Sequence, residues 1–267
     1  MSAQQLHGPA YEWALWSTTV RVVTADPHAL PSARRLVDAE LAHVELAAGP
    51  QRPDSELARL RSGRRTRVST TLAAILGAAL RAADETDGAL DPTTGRALRP
   101  VGGDAPWRGI QLDEAAQTLL VPRGVALDVD TIARAWAADR CAAVVAEVVE
   151  VGVLVSLGGD IATAGPAGGG AWEVVVTGPD DDGAAIVAVP TGLAVATATA
   201  PFGMPVRTAT VVAADCVTAA TWSSAALVDR DRLTARGLPT RLVAADGSLR
   251  HLGGWPEDAE VVGDVVR

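Results

Sequence analysis

Residues 127–165 constrain the fold of this chain more than any other part of the sequence. After a short apolar segment, apolar residues recur at intervals of three and four, which predicts an amphipathic helix. The apolar run at residues 153–157 has the length and the flanking glycines of a buried strand. We therefore predict a strand–helix–strand unit that ends in the turn Gly158-Gly159-Asp160.

That glycine turn has two interpretations. Glycine lets a backbone approach a bound molecule closely, and α/β sheets place their ligands at the carboxyl ends of strands. A turn of the same composition also forms for purely local reasons. The spacing of the residues leaves both interpretations open.

The same stretch resembles the core signature of the ApbE-type flavin transferases, the FAD:protein FMN transferases. That signature reads l-D-l-G-g-i-A-K-G-y-a-v-D, then a strand, then G-G-D-i. Arg134 stands where the family has Lys. The matching residues are Asp128, Ala133, Asp139, Gly158, Gly159 and Asp160.

The resemblance extends over about residues 14–256 and implies one ApbE-like domain for residues 1–267. The implied fold class is α+β: ApbE-like (T-fold-related) mixed sheets with packed helices in a single compact unit.

Composition excludes several classes of protein. The 267 residues are 48% apolar and 21% charged, as in globular domains and unlike disordered chains. A net charge of −9 argues against nucleic acid or an anionic membrane as partner. Cys141 and Cys216 lie in apolar runs without metal-ligand spacing, so we expect buried free thiols.

The sequence shows no apolar segment long enough for a signal peptide or a membrane span. Many ApbE-type proteins are exported lipoproteins that carry a lipidated cysteine near the N-terminus. This chain has no cysteine there. We therefore expect a cytoplasmic protein.

Residues 14–24 alternate like a single strand and are similar to the opening strand of the family, which begins m-G-T. Trp16 stands at the glycine position. Because the family's turn approaches the flavin there, the resemblance implies that the indole protrudes into that space or caps it. A tryptophan packed in the core is the alternative.

Residues 88–95, GALDPTTG, resemble the family's G-x-f-D-p-T-v-G loop, which lies against the nucleotide. Asp91 and Thr93 are therefore candidates for pocket lining. The same residues also suit an ordinary turn. At residues 178–183, three consecutive aspartates indicate either a cation site or, preferably, a solvated hairpin turn.

The family pattern breaks after residue 192. ApbE-type enzymes carry a long loop there with the segment H-I-I-D-P-x-T-G, whereas this chain passes from residues 192–200 through PFGMPVR into residues 208–213. The four histidines are His7, His28, His43 and His251, with none between positions 44 and 250. The histidine segment is therefore missing.

The metal-binding motif departs as well. In the family's A-D-A-l-a-T-A-l, Asp and Thr one helical turn apart hold a magnesium ion that binds the FAD pyrophosphate. Alignment without gaps places Ala220 at the Asp and Ser224 at the Thr. Magnesium requires oxygen ligands, which a methyl group does not supply. Asp215 and Thr218 are close in sequence but point elsewhere on a helix.

Three hypotheses follow. The first is a diverged ApbE-like protein that has lost the Mg/His phosphoryl-transfer machinery and whose cleft binds a hydrophobic small molecule. If this protein is an enzyme, it cyclises or rearranges that molecule without a cofactor, a type of reaction that suits specialised metabolism. The second is a non-catalytic FAD- or flavin-binding pseudoenzyme. The third is a Mg-dependent FMN transferase with a relocated metal site at Asp215, Thr218 or Asp160.

Under the first hypothesis no metal and no cofactor is expected, and FAD is the ligand under the second. Replacing Gly by Trp, Asp by Ala and a charged loop by PFGMP makes the cleft more apolar, which suits a hydrophobic ligand. No catalytic residue is identified. The candidate ligand-binding residues are Trp16, Asp91, Thr93, Arg134, Trp136, Gly159, Asp160, Trp222 and Ser224.

Overall fold

An eight-stranded sheet forms the centre of the computed structural model, which describes residues 4–5, 9–93, 105–166, 170–177 and 185–255. The strands are β1 (Gln4–Gln5), β2 (Ala10–Leu15), β3 (Thr18–Thr24), β4 (Arg65–Arg67), β5 (Gln111–Asp113), β6 (Thr118–Leu120), β7 (Val153–Leu157), β8 (Asp160–Ala164), β9 (Ala171–Val176), β10 (Ala185–Pro190), β11 (Ala194–Thr199), β12 (Val206–Ala213), β13 (Thr240–Ala244) and β14 (Leu249–Leu252). The central sheet has the order β14-β13-β12-β11-β8-β7-β3-β2, and two three-stranded sheets have the orders β1-β9-β10 and β4-β6-β5.

The helices begin where the sequence supplies capping oxygens. Ser55 and Ser69 accept the backbone N–H groups of Ala58 and Leu72 and cap the helices that follow them. Short 3-10 turns span Pro27–Ala29 and Pro106–Gly109. The α-helices are α1 (Leu30–Ala48), α2 (Glu56–Arg59), α3 (Thr70–Glu85), α4 (Asp130–Val149), α5 (Cys216–Ala226) and α6 (Arg230–Arg236).

The central sheet is covered on both faces, which explains why β7 is apolar throughout. Successive side chains of a strand point to opposite faces. Val153 and Val155 therefore pack in the cluster that contains α1, α3 and α4. Leu154 lies in the cluster that contains β9 and β10. The result is an α+β unit with helices on one face of the sheet and a small sheet on the other.

Every pairing among the described strands is antiparallel. The predicted helix and its following strand are α4 and β7, but residues 125–127 do not form a strand. β7 turns directly into β8 at Gly158-Gly159. The glycine turn therefore closes a hairpin.

The prediction of one continuous strand at residues 14–24 was wrong. Leu15 pairs with Thr18, so these residues form a hairpin, β2–β3, with Trp16 and Ser17 as its two turn residues. Their φ angles are 50° and 57°. A two-residue turn of this kind normally carries Asn-Gly or Asp-Gly. Because Trp-Ser is not a pair that this turn type favours, the sequence pattern gave no indication of the turn.

Three further strand pairs complete the antiparallel sheets. Residues 111–120 form the hairpin β5–β6, β9 pairs with β10, and β13 pairs with β14. The acidic segment at residues 178–183 lies outside the described residues. Cys141 and Cys216 are buried free thiols, as predicted. No helix in the described part of the chain combines the length and apolar character that crossing a bilayer requires.

Candidate functional site

A cavity of about 590 Å³ opens at the end of the central sheet where the β2–β3 and β7–β8 turns lie. Six separate segments of the chain contribute to its wall, and many of their side chains are hydroxyls. The cavity has the size of a site for a small organic molecule. Its lining residues are Trp16, Ser17, Thr18, Ala89, Leu90, Asp91, Thr131, Arg134, Leu157, Gly158, Gly159, Asp160, Thr197, Ala198, Thr199, Ala200, Pro201, Ala220, Ser223, Ser224 and Leu227.

The turn between β7 and β8 forms the floor of the cavity. Gly158 has a φ of 67°, and a Cβ atom there would lie 2.4 Å from Oγ1 of Thr18. Only glycine fits this combination of backbone angle and close contact. The carbonyl of Gly159 accepts the backbone N–H of Thr197 on β11 at 3.1 Å. The turn is thus fixed by its neighbours on both sides, β3 and β11.

Arg134 is the cavity's basic residue among those described, and two carboxylates share its charge. Its Nη1 donates to Oδ2 of Asp130 at 2.6 Å, and its Nε lies 3.4 Å from Oδ2 of Asp160. Burial alone would lower the pKa of Arg134, but the charges of Asp160 and Asp130 outweigh it and raise that pKa. Arg134 therefore stays cationic, and its charge is already balanced within the protein.

Asp160 is a buried carboxyl group whose protonation changes near neutrality. Burial raises its pKa to about 6, and the attraction of Arg134 only partly opposes that rise. Asp139, further along α4, accepts the backbone N–H groups of Cys216 and Val217 at the start of α5, at 2.7 and 3.1 Å. Burial raises the pKa of Asp139 to about 7.

Helix α5 presents different residues on its two sides. Ala220 and Ser224 line the cavity. Asp215 and Thr218 line a separate pocket of about 240 Å³ between α3, α4 and α5. There the carboxylate of Asp215 accepts the backbone N–H and the hydroxyl of Thr218 at 2.7 and 2.9 Å, as an N-cap.

The cavity lacks the carboxylate that the family's magnesium motif supplies from helix α5. Magnesium takes a near-octahedral shell of oxygen ligands with at least one or two carboxylates. Ala220 offers a methyl group at the position one turn before Ser224, Asp160 is held against Arg134, and Asp91 is hydrogen-bonded to Thr93. Within the described ranges, no three His, Cys, Asp or Glu residues are grouped as metal ligands.

The structure brings six of the predicted residues together on this cavity: Trp16, Asp91, Arg134, Gly159, Asp160 and Ser224. Thr93 lies behind Asp91 and donates its backbone N–H and its hydroxyl to the Asp91 carboxylate at 2.8 and 2.6 Å. Trp136 lines the pocket of Asp215. Trp222 is buried in a different cluster, beneath the guanidinium of Arg236.

Sequence reasoning missed most of the hydroxyls of the wall: Ser17, Thr18, Thr131, Thr197, Thr199 and Ser223. The alternation in residues 194–199, AVATAT, was an available signal for Thr197 and Thr199, since residues two apart share a strand face. These hydroxyls make the cavity more polar than the apolar cleft that the sequence had predicted.

Comparison with known families decides the identity of the fold. The sequence profile of the ApbE family matches residues 16–200, which is more than half of the chain. The chain belongs to the ApbE family. A search among curated protein sequences finds no match.

Solved ApbE structures superpose on nearly the whole chain. The ApbE protein from Thermotoga maritima has a TM-score of 0.77 at 20% identity, covering 91% of this chain and 97% of its own. The flavin transferase ApbE from Vibrio cholerae has a TM-score of 0.72 at 21% identity, covering 93% and 96%. The flavinyl transferase ApbE from Pseudomonas stutzeri, in its apo form, has a TM-score of 0.75 at 18% identity, covering 94% and 95%. The ApbE fold predicted from the resemblance is confirmed.

Proposed function

We propose that this ApbE-family protein binds an uncharged organic molecule with a hydrophobic body in the cavity above the β7–β8 turn, and that metal-dependent transfer of a flavin nucleotide has been lost. The observation that carries the proposal is Ala220, which lines the cavity one helical turn before Ser224. The family resemblance puts a carboxylate at that position, and the methyl group of Ala220 coordinates no cation.

The charge balance of the cavity supports an uncharged ligand. Its charged lining side chains among the described residues are Asp91, Asp160 and Arg134, and Arg134 is paired with Asp160 and Asp130. A pyrophosphate brings further negative charge into this partly buried site. Without a cation to neutralise it, that charge is repelled and loses its hydration.

The hydroxyls and Arg134 supply hydrogen bonds to ligand oxygens, and Trp16, Leu157 and Leu227 supply apolar contacts. Asp160, with a pKa of about 6, can also exchange a proton with a bound molecule at neutral pH. In a cofactor-independent rearrangement or cyclisation, Asp160 would donate a proton to the ligand and take one back. The product would therefore have the same atomic composition as the ligand.

A second candidate function is flavin binding without transfer. The Gly158-Gly159 turn favours it, because the family resemblance covers that turn and a glycine backbone leaves room beside Trp16. Titration with riboflavin, FMN and FAD distinguishes the two functions. If all three bind and FAD binds most tightly, the protein is a flavin-binding protein. If only uncharged ligands bind tightly, the result supports the first proposal, an uncharged organic ligand.

The decisive experiment incubates the protein with FAD, with and without magnesium, and with a peptide carrying the acceptor sequence D-x-x-T-G-A-T. We expect no covalent FMN adduct by mass spectrometry and no effect of magnesium on FAD affinity. A magnesium-dependent adduct would overturn the proposal.

A parallel titration with the neutral dye Nile red tests the cavity itself. Ala220→Leu should block binding, since the larger side chain extends into the cavity. Thr218→Leu, on the other side of α5, is the matched control and should leave binding unchanged. Equal binding by both variants would show that the dye binds elsewhere.

A further inference from the structure

The turn between β11 and β12 carries an unusual aromatic residue. Phe202 is the only phenylalanine of the chain, and its relative exposure is 109%. The next most exposed large apolar residue among those described is Val148, at 62%. Phe202 directly follows Pro201, which lines the cavity. An entire phenyl ring is therefore in water next to a residue of the cavity wall, and covering it is favourable.

The backbone of this turn is fixed at its ends and unpacked between them. Ala200 donates its N–H to the carbonyl of Arg207 at 2.8 Å, and the carbonyl of Pro205 accepts the N–H of Ala245 at 2.9 Å. Gly203 has a φ of 94°, and no atom lies within 4 Å of the position a Cβ would take there. Since proline fixes φ at Pro201 and Pro205, rotation is confined to the residues between them.

The cavity also has a polar end and an apolar end. β8 and β11 are paired, with Ala196 opposite Asp160, which itself contacts Arg134. A strand advances about 3.3 Å per residue, so Pro201 lies about 16 Å along the chain from that pair. Near Pro201 the wall includes Ala198, Ala200 and Leu227, which share one apolar cluster, with the hydroxyl of Thr199 between them.

We propose that Phe202 contacts the ligand: when the cavity is filled, residues 201–204 fold over its mouth and the phenyl ring covers an apolar face of the bound molecule. This inference rests on the proposed function and refines its ligand. The ligand is elongated, with an uncharged oxygen-bearing group at Arg134 and a flat apolar part beneath Phe202. The class is that of polycyclic or aryl ketones and related neutral compounds.

The single phenylalanine allows a direct test in the intact chain. Growth with 4-fluorophenylalanine places one ¹⁹F nucleus, at Phe202. In the free protein its resonance should show the full solvent isotope shift between H₂O and D₂O. At saturation with Nile red or riboflavin, we expect the resonance to move and the isotope shift to fall to about half or less, as expected for a ring removed from water. The Ala220→Leu variant, whose cavity is filled, should show neither change.

Affinity provides the second measurement. Phe202→Ala should weaken Nile red binding about tenfold, because a ring contact of this size is lost. Phe202→Leu, which keeps an apolar side chain, should restore part of that loss. Val148→Ala, at an exposed apolar residue on α4 away from the cavity, should leave the affinity unchanged.

The outcomes separate this inference from the proposed function. Cavity binding that leaves both the ¹⁹F resonance and the affinity of Phe202→Ala unchanged would overturn the role of Phe202 and leave the proposed function standing. If neither neutral probe binds, the proposed function and this inference fail together.

Discussion

Two turns meet beside the cavity, and they are built from opposite kinds of residue. The β7–β8 turn is Gly158-Gly159, with a φ of 67° at Gly158, where no side chain is present to be strained. The β2–β3 turn is Trp16-Ser17, with φ angles of 50° and 57° that residues with a Cβ disfavour. Since β3 pairs with β7, the two turns lie at the same end of the sheet.

The difference shows which part of each turn matters. In the glycine turn the backbone itself forms the cavity floor, and a side chain would collide with Thr18. In the other turn the side chain contributes: Trp16 is only 7% exposed and forms part of the wall. Positive φ angles at two such residues cost about 1 kcal/mol or more each, and the burial of the indole offsets that cost.

The largest expected effect concerns the glycine turn. Gly158→Ala should lower the free energy of unfolding by about 3 kcal/mol, since it adds both left-handed backbone strain and an overlap with Thr18. Gly192→Ala is the matched control: its φ is 87°, but nothing lies within 4 Å of the added Cβ, so a loss of about 1 kcal/mol is expected. Urea denaturation measures both. Equal losses would show that the contact with Thr18 is unimportant.

The two turns also differ in the residue that follows them, which is the acidic Asp160 after the glycine turn and the neutral Thr18 after the other. An effect of intermediate size is expected from Asp160, on the pH dependence of stability. Burial raises the pKa of Asp160 to about 6. Stability from this group is therefore fully present below the unfolded-state pKa of about 4 and is lost as the pH rises through 6. Between pH 4 and 6 the free energy of unfolding of the original chain should therefore fall as the pH rises. In Asp160→Asn this fall should be smaller, by up to about 1.4 kcal/mol per pH unit.

Two further carboxyl groups provide the reference for that measurement. Asp139, whose pKa is raised to about 7 mainly by burial, is present in both proteins, and Asp160→Asn removes only the smaller contribution of the Asp160 charge to that rise. Asp246→Asn, in the β13–β14 turn, is the control, because hydrogen bonds from Ser248 lower the pKa of Asp246. It should not change the slope between pH 4 and 6. A slope in Asp160→Asn as steep as in the original chain would contradict the assignment.

The smallest effect is a gain in stability. Ser17→Gly should raise the free energy of unfolding by about 0.5 kcal/mol, because relief of the strained φ slightly exceeds the entropy that glycine loses on folding. Thermal denaturation of this variant beside Ser62→Gly, in the exposed segment before Gly63, provides the comparison. A loss of stability would indicate that the contact from Gln51 to the Ser17 hydroxyl matters more than the backbone strain.

Local patterns predicted much of the fold. Apolar periodicity located α4, and flanking glycines marked the end of β7. The β2–β3 turn was missed because tryptophan and serine are not the residues that such a turn favours. In helices the patterns were less informative. α5 is apolar or small on nearly every side, so its sequence does not indicate which face meets the cavity.

Two tryptophans that the sequence placed in the cavity, Trp136 and Trp222, lie outside it for different reasons. Trp136 lies two residues after Arg134 on α4, and at about 100° per residue the two point in different directions. Helical geometry alone could have separated them. Trp222 could not have been assigned in this way, because only its packing beneath Arg236 and beside Leu233 excludes it from the cavity.

The sequence by itself determined the ApbE family, most of the elements and the residue types at positions 220 and 224. The tertiary structure decided which of the candidates share a cavity, that Arg134 is balanced by Asp130 and Asp160, and that the lone phenylalanine is exposed next to Pro201 of the cavity wall. The physical reason is that helices and turns follow from neighbours in the chain, whereas the cavity wall comes from six distant segments whose positions are fixed only by packing.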